Sequence, residues 1–263
     1  MEAEFKIKTM AEYQAEGKQP EVLFWVGCSG SFDDRAKKIT KAFAKLLIKA
    51  HVDFAILGTE ESCTGDPAKR AGNEMLFQMQ ALTNIQVLNG YEVKKIVTAC
   101  PHCFNTLKNE YPELGGNYEV LHHTQFLKTL LEEGKLKVEG GKFKGKRITF
   151  HDPCYLGRAN NEYEAPRTLL EKLEGELHEM RRCKSNGFCC GAGGAQMFKE
   201  PEKGHADINV VRTQEALEVK PDVIAAGCPF CNTMLTDGVK GADSPTKPQV
   251  LDIAEMIAQA EEL

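Results

Sequence analysis

Asp222–Cys231 reads DVIAAGCPFC and Lys94–Cys103 reads KKIVTACPHC. In both, an apolar run of strand length stops at Cys-Pro-x-Cys, so the chain carries one strand-to-cysteine unit twice. The duplication extends outward from these stretches. Cys28 and Cys154 stand 126 residues apart, as do Cys63 and Cys189, while Cys100 and Cys103 precede Cys228 and Cys231 by 128. Cys63 opens Cys-Thr-Gly where Cys189 opens Cys-Cys-Gly, so nine of the ten cysteines fall into two sets in register. Unrelated thiols would not repeat in this way.

Each half alternates strand and helix patterns. In the first, strands are expected at Glu21–Val26, Asp53–Leu57, Lys95–Thr98 and near Tyr118–Leu121, with helices at Asp34–Ala50, Asn73–Asn89 and Thr124–Glu133. In the second, Arg147–Phe150, Leu177–Met180 and Asp222–Ala225 read as strands, Ala165–Glu174 and Gly204–Leu217 as helices, and Gln249–Leu263 as a last strand and helix. The fold class is therefore α/β: two pseudo-repeated halves, 1–145 and 146–263, each built on a mostly parallel sheet. Glu133–Arg147, rich in Gly and Lys, reads as the linker between them. Cys28, Cys100, Cys154 and Cys228 follow directly on strands, and ligands of open α/β sheets bind beyond the carboxyl ends of strands. The second cysteine of each Cys-Pro-x-Cys is expected to open a helix, whose amides favour thiolate charge.

Composition narrows the setting. A net charge of −5 and a pI near 5.9 argue against a nucleic-acid binder. The polar stretch 1–20 lacks the apolar core of a signal peptide, and no apolar run reaches the roughly 18 residues that span a bilayer. A cytoplasmic protein with reduced thiols and no direct membrane insertion is expected.

Gathered thiolates bind soft metal. A structural zinc site usually takes four ligands at compact spacing, whereas here the two Cys-x-x-Cys pairs are over a hundred residues apart and the second set has five thiols. An iron–sulfur cluster accommodates four or five thiolates, and zinc remains the bland alternative.

The run of a lone Cys, Cys-Cys-Gly 35 residues on, and then Cys-x-x-Cys resembles the cysteine-rich CCG domain. That domain occurs twice in one of the subunits of heterodisulfide reductase, and in iron–sulfur subunits of lactate, glycolate and glycerol-3-phosphate oxidising systems. The segments His151-Asp152-Pro153-Cys154, Cys189-Cys190-Gly191-Ala192-Gly193-Gly194 and Gly227-Cys228-Pro229 carry the resemblance. It implies that Cys154, Cys189, Cys190, Cys228 and Cys231 hold a non-cubane [4Fe-4S] cluster. The first repeat departs from the pattern at Thr64, leaving Cys28, Cys63, Cys100 and Cys103. Four thiolates suit a second iron–sulfur cluster whose type stays open: a cubane, a modified non-cubane form, or an empty site, with Asp66 or a histidine as a replacement ligand.

Several residues near these motifs read more plainly. Cys183 is a spare thiol, His122-His123 a packed pair, and His151 a hydrogen-bond partner of the cluster loop. His102 lies where it can tune the first cluster. Gly191, Gly193 and Gly194 allow close backbone approach, and Lys135, Lys137, Lys142, Lys144 and Lys146 are solvated. No dinucleotide fingerprint, flavin signature or ferredoxin cysteine run occurs, so electrons must be exchanged with a partner: a flavoprotein, a ferredoxin-like iron–sulfur protein or a membrane-anchored quinone-reducing protein. An electron-transfer subunit and a disulfide-reductase subunit are the two functional classes left.

Overall fold

Every strand runs parallel to its neighbours. A computed structural model describes residues 6–138, 141–200, 203–245 and 247–263. In the first half, Val22–Trp25 (β1), Phe54–Ala55 (β2), Lys95–Thr98 (β3) and Glu119–His122 (β4) form a sheet of order β2-β1-β3-β4. In the second, Arg147–Phe150 (β5), Glu176–Leu177 (β6), Val223–Ala226 (β7) and Gln249–Asp252 (β8) repeat it as β6-β5-β7-β8. Register repeats too, Leu23 lying opposite Ile96 as Thr149 lies opposite Ile224. Sheets of this kind are covered on both faces, which is why VLFW and VIAA are buried throughout.

The helices of the first half are Met10–Ala15 (α1), Gly27–Phe32 (α2), Ala36–Lys49 (α3), Asp66–Arg70 (α4), Glu74–Gly90 (α5), Pro101–Asn105 (α6) and His123–Glu132 (α7). Those of the second are Gly157–Asn160 (α8), Glu164–Lys172 (α9), Ile208–Glu218 (α10), Pro229–Gly241 (α11) and Ile253–Ala260 (α12). One expectation needs correction. Proline, with its fixed φ and missing N–H, opens α6 and α11, so Cys100 and Cys228 are the N-caps and Cys103 and Cys231 lie in the first turn.

Side chains alternate across each sheet. Val22 and Phe24 of β1 and Ile148 and Phe150 of β5 enter one core together with α3, α7, α9 and α12. Leu23, Trp25 and Ile96 point the other way, into a separate core with Phe77, Ala81 and Leu88 of α5. Across the shared core α3 packs on α12 and α7 on α9, the crossed pairing of a pseudo-two-fold axis. The halves are therefore fused rather than tethered. Leu136 and Phe143 of the expected linker belong to this core, while its lysines are exposed and its residues 139–140 lie outside the described ones.

In each sheet the chain moves from the first inner strand to one edge and returns to the other side. The inner pair, β1 with β3 and β5 with β7, thus marks the point where strand order reverses, and a crevice opens beyond their carboxyl ends. Cys28 and Cys100 flank that crevice in one half, Cys154 and Cys228 in the other.

Candidate metal centre

Three loops meet at each crevice. In the first, Cys28 and Cys63 share a hydrogen bond, as do Cys100 and Cys103, and all four line one pocket with Thr64, Asp66, His102 and Phe230. In the second, hydrogen bonds run from Cys154 and Cys190 to Cys189, and from Cys231 to Cys190 and Cys228. The structure thus brings together all nine thiols named from the sequence. Cys183 is half-buried and stands apart, its surroundings being Glu179, Asp152, Arg167 and Lys184.

The Cys-x-Gly element has a physical cause. Gly65 and Gly191 sit at φ +89° and +95°, and each N–H donates to the sulfur two residues back, 3.5 Å to Cys63 and 3.3 Å to Cys189. A left-handed backbone of this kind favours glycine. Gly27 works similarly at φ +78°, since a Cβ there would meet the Cys103 sulfur at 3.3 Å. Thr64, buried in place of a fifth thiol, directs its hydroxyl at Cys103 Sγ over 3.9 Å.

Buried and half-buried side chains that the sequence did not single out hold the loops. The carboxylate of Glu61 accepts the N–H groups of Val26 (2.9 Å) and Gly27 (2.5 Å), tying the Cys63 loop to the Cys28 loop, and burial raises it to about 7. Asn84 donates to the Cys63 carbonyl at 3.0 Å. In the second half Asp152 does the corresponding work, accepting Lys184 N–H (2.6 Å) and both Nη atoms of Arg167 (2.9 and 3.0 Å). Only Asp152 had a sequence signal, its place in His-Asp-Pro-Cys. His151 lies beside Cys190 and Cys231, and its Nδ1 accepts from the buried Arg212 at 3.0 Å. Burial and then the Arg212 charge lower His151 to about 3.

The electrostatics are those of crowded thiols. Its hydrogen bond from Cys28 lowers Cys63 to about 7, while the donor Cys28 is pushed up. Hydrogen bonds from Cys154 and Cys190 drive Cys189 far down, and both donors rise. Burial opposes charge on His102, yet its hydrogen bond to Asp66 (2.9 Å) and the neighbouring Cys100 and Cys228 lift it to about 9. Asp66 is also engaged by Arg70 (3.1 Å). The two sites touch here, for the His102 ring lies 4.2 Å from that of Tyr155 and 5.4 Å from that of Phe230, both beside second-half cysteines.

This donor set fits an iron–sulfur cluster: soft thiols converge in each half, backbone N–H groups already point at sulfur, and near the second set Arg212 Nη2 and both amide atoms of Asn232 are buried without a partner among the described residues. His122 and His123, both fully buried, join Asp252 at the junction of the halves, outside the thiol sets.

The family model of the cysteine-rich CCG domain matches residues 22–108 and 148–236. The chain belongs to this family. It is 48% identical over 256 residues to a probable iron-sulfur-binding oxidoreductase, FadF, of Bacillus subtilis, covering 97% of this chain and 36% of that protein. It is 47% identical over 253 residues to the EtfAB:quinone oxidoreductase of Syntrophomonas wolfei, covering 94% and 35%. With one of the subunits of the dihydromethanophenazine:CoB–CoM heterodisulfide reductase of Methanosarcina barkeri it shares 35% identity over 247 residues, covering 91% and 59%. The CCG chain thus spans about a third of the length of the first two relatives. Among the described residues no helix is long and apolar enough to cross a membrane.

Proposed function

We propose that this chain is an iron–sulfur electron-transfer unit of a multi-subunit oxidoreductase, with one cluster in each half. Cys154, Cys189, Cys190, Cys228 and Cys231 hold a non-cubane [4Fe-4S] cluster, and Cys28, Cys63, Cys100 and Cys103 hold a second, four-thiolate cluster. The halves 1–145 and 146–263 are its two CCG units. The carrying observation is that two thiol sets converge where strand order reverses in two equivalent sheets. A bound cluster supplies one-electron redox chemistry at each site. The chain's own residues supply the thiolates, the Gly65 and Gly191 amides that meet them, and the Glu61 and Asp152 carboxylates that fix the loops.

Electrons are exchanged with a partner, a flavoprotein or a ferredoxin-like iron–sulfur protein. The relative named EtfAB:quinone oxidoreductase supports a quinone-reducing assembly. The relative named heterodisulfide reductase favours a second reading, reduction of a disulfide between the two sites. Thr64 and the contact of His102 with Tyr155 and Phe230 weigh against it, since the first set lacks its fifth thiol and aromatic rings occupy the junction.

Anaerobic purification followed by iron, sulfide and zinc analysis tests the proposal. Iron with matching acid-labile sulfide, and a visible spectrum bleached by dithionite, are expected. The protein alone fails to oxidise NADH, and a cognate redox partner restores turnover. Zinc in place of iron sinks the reading, and rapid reduction of a small disulfide by the chain alone favours the second one.

A further inference from the structure

His151 stands where the loops of the second site meet. It is 1% exposed, and one of its ring nitrogens lies within 4.8 Å of the Cys190 and Cys231 sulfurs. Nδ1 is already occupied, accepting from Arg212 Nε at 3.0 Å. A guanidinium only donates and keeps its proton, so Nδ1 carries the lone pair and the ring proton resides on Nε2. Arg212 cannot turn away. It is wholly buried, donates through Nη1 to the Arg182 carbonyl at 2.9 Å and pairs with Glu215 at 3.3 Å, which Arg182 holds in turn at 2.7 Å.

The repeat gives an independent observation. Trp25 occupies the position equivalent to His151, three residues before Cys28 as His151 is before Cys154. Its side chain is wholly buried in the same apolar group as Cys100 and Cys103, and its Nε1–H has no partner among the described residues. An indole nitrogen donates and never ligates. Both halves therefore carry a buried ring N–H donor at the same position of the repeat, three residues before the lone cysteine.

We infer that His151 is an N–H donor to the sulfur atoms of the second site, fixed in that tautomer by Arg212, and is not an iron ligand. The inference rests on the cluster reading above. A nitrogen that bears a proton has no lone pair for iron. Donation to sulfur stabilises the extra negative charge of the reduced site, and so raises its reduction potential. His151 is a positioning residue: it acts on the sulfurs and leaves the five-thiolate set unchanged.

The decisive measurement is pulsed EPR of the reduced, iron-loaded protein labelled with 15N-histidine and exchanged into D2O. A weak 15N coupling accompanied by an exchangeable deuteron is expected, and a strong coupling of a directly bound nitrogen overturns the inference. In His151→Leu, both couplings should disappear and the second site's midpoint potential should fall with iron content retained; His151→Gln, which keeps an N–H, should recover part of the potential. Unchanged potential and couplings in His151→Leu also overturn it. Even if a variant does not fold, the strong coupling of a directly bound nitrogen in the labelled unmodified protein overturns the inference. Loss of the weak coupling in His151→Gln or His151→Leu separates His151 from His102, which lies beside Cys228. Protein without iron refutes the cluster reading itself, whereas iron without any 15N coupling refutes only this inference.

Discussion

Gly191 gives the sharpest test at the scale of single residues. Its φ of +95° strains any side chain, and a Cβ would meet Ile208 Cβ at 3.1 Å and the Asn209 nitrogen at 3.4 Å. Gly191→Ala should cost about 1–2 kcal/mol in stability from the backbone alone, and should displace the amide that donates to Cys189. Iron analysis should show loss from the second site with the first retained, and equal occupancy in the variant would refute this role. Thr64 offers the converse change. Its buried hydroxyl points at Cys103, so Thr64→Cys places a fifth thiol in the first set. The first site's spectrum should move toward the second's; an unaltered spectrum would show that the fifth thiol does not distinguish them. The nine cysteines were legible because two sets kept one register. Glu61, Asn84 and Arg212 were not, because each acts on a loop 21 to 61 residues away and no local pattern marks the pairing.

Among the elements, α3 carries the junction between the halves. Its Phe43 is fully buried, with its ring edge-on to Phe24 at 5.0 Å and to His123 at 5.6 Å. Phe43→Ala should destabilise the protein by about 3–5 kcal/mol. Because α3 packs on α12 of the other half, both halves should melt earlier in one transition. Calorimetry resolving two transitions, with only the first shifted, would show that the halves fold separately. The face of α3 was readable from Ile39, Phe43, Leu46 and Leu47, all buried as their spacing predicts. What that face meets was not, since an apolar stripe fits any apolar partner. The inner strands were legible as apolar runs. The edge strands β2 and β6 came out as two residues each, Phe54–Ala55 within the expected Asp53–Leu57 and Glu176–Leu177 at the start of the expected Leu177–Met180, whereas the opposite edges β4 and β8 keep four. Helix α1 went unread although Thr9 and Glu12 form a capping box visible as Thr-x-x-Glu.

At the scale of the molecule, the pseudo-symmetry closes on a polar chain at the junction of the halves. His122 caps α7 and Asp252 caps α12, the equivalent helices of the two repeats. His123 bridges them, its Nε2 2.9 Å from Asp252 Oδ1 and its Nδ1 3.2 Å from His122 Nε2, with all three residues fully buried. Burial, and then the adjacent His123, hold His122 far below the ordinary histidine range. The folded protein therefore keeps His122 neutral under conditions where the unfolded chain binds a proton, below about pH 6.5. The unfolded state then carries more protons, so the contribution of His122 is present above about pH 6.5 and is lost progressively as pH falls, by up to about 1.4 kcal/mol per unit. His151, also lowered by its burial, adds to the same trend. The slope of stability against pH, rather than its absolute value, isolates His122, because replacing it also removes a partner of His123. In His122→Phe the acid-side slope should be shallower than in the unmodified protein by about one proton's worth. Urea titrations at a series of pH values measure it, and parallel slopes in the two proteins would mean that His122 takes up its proton in the folded state.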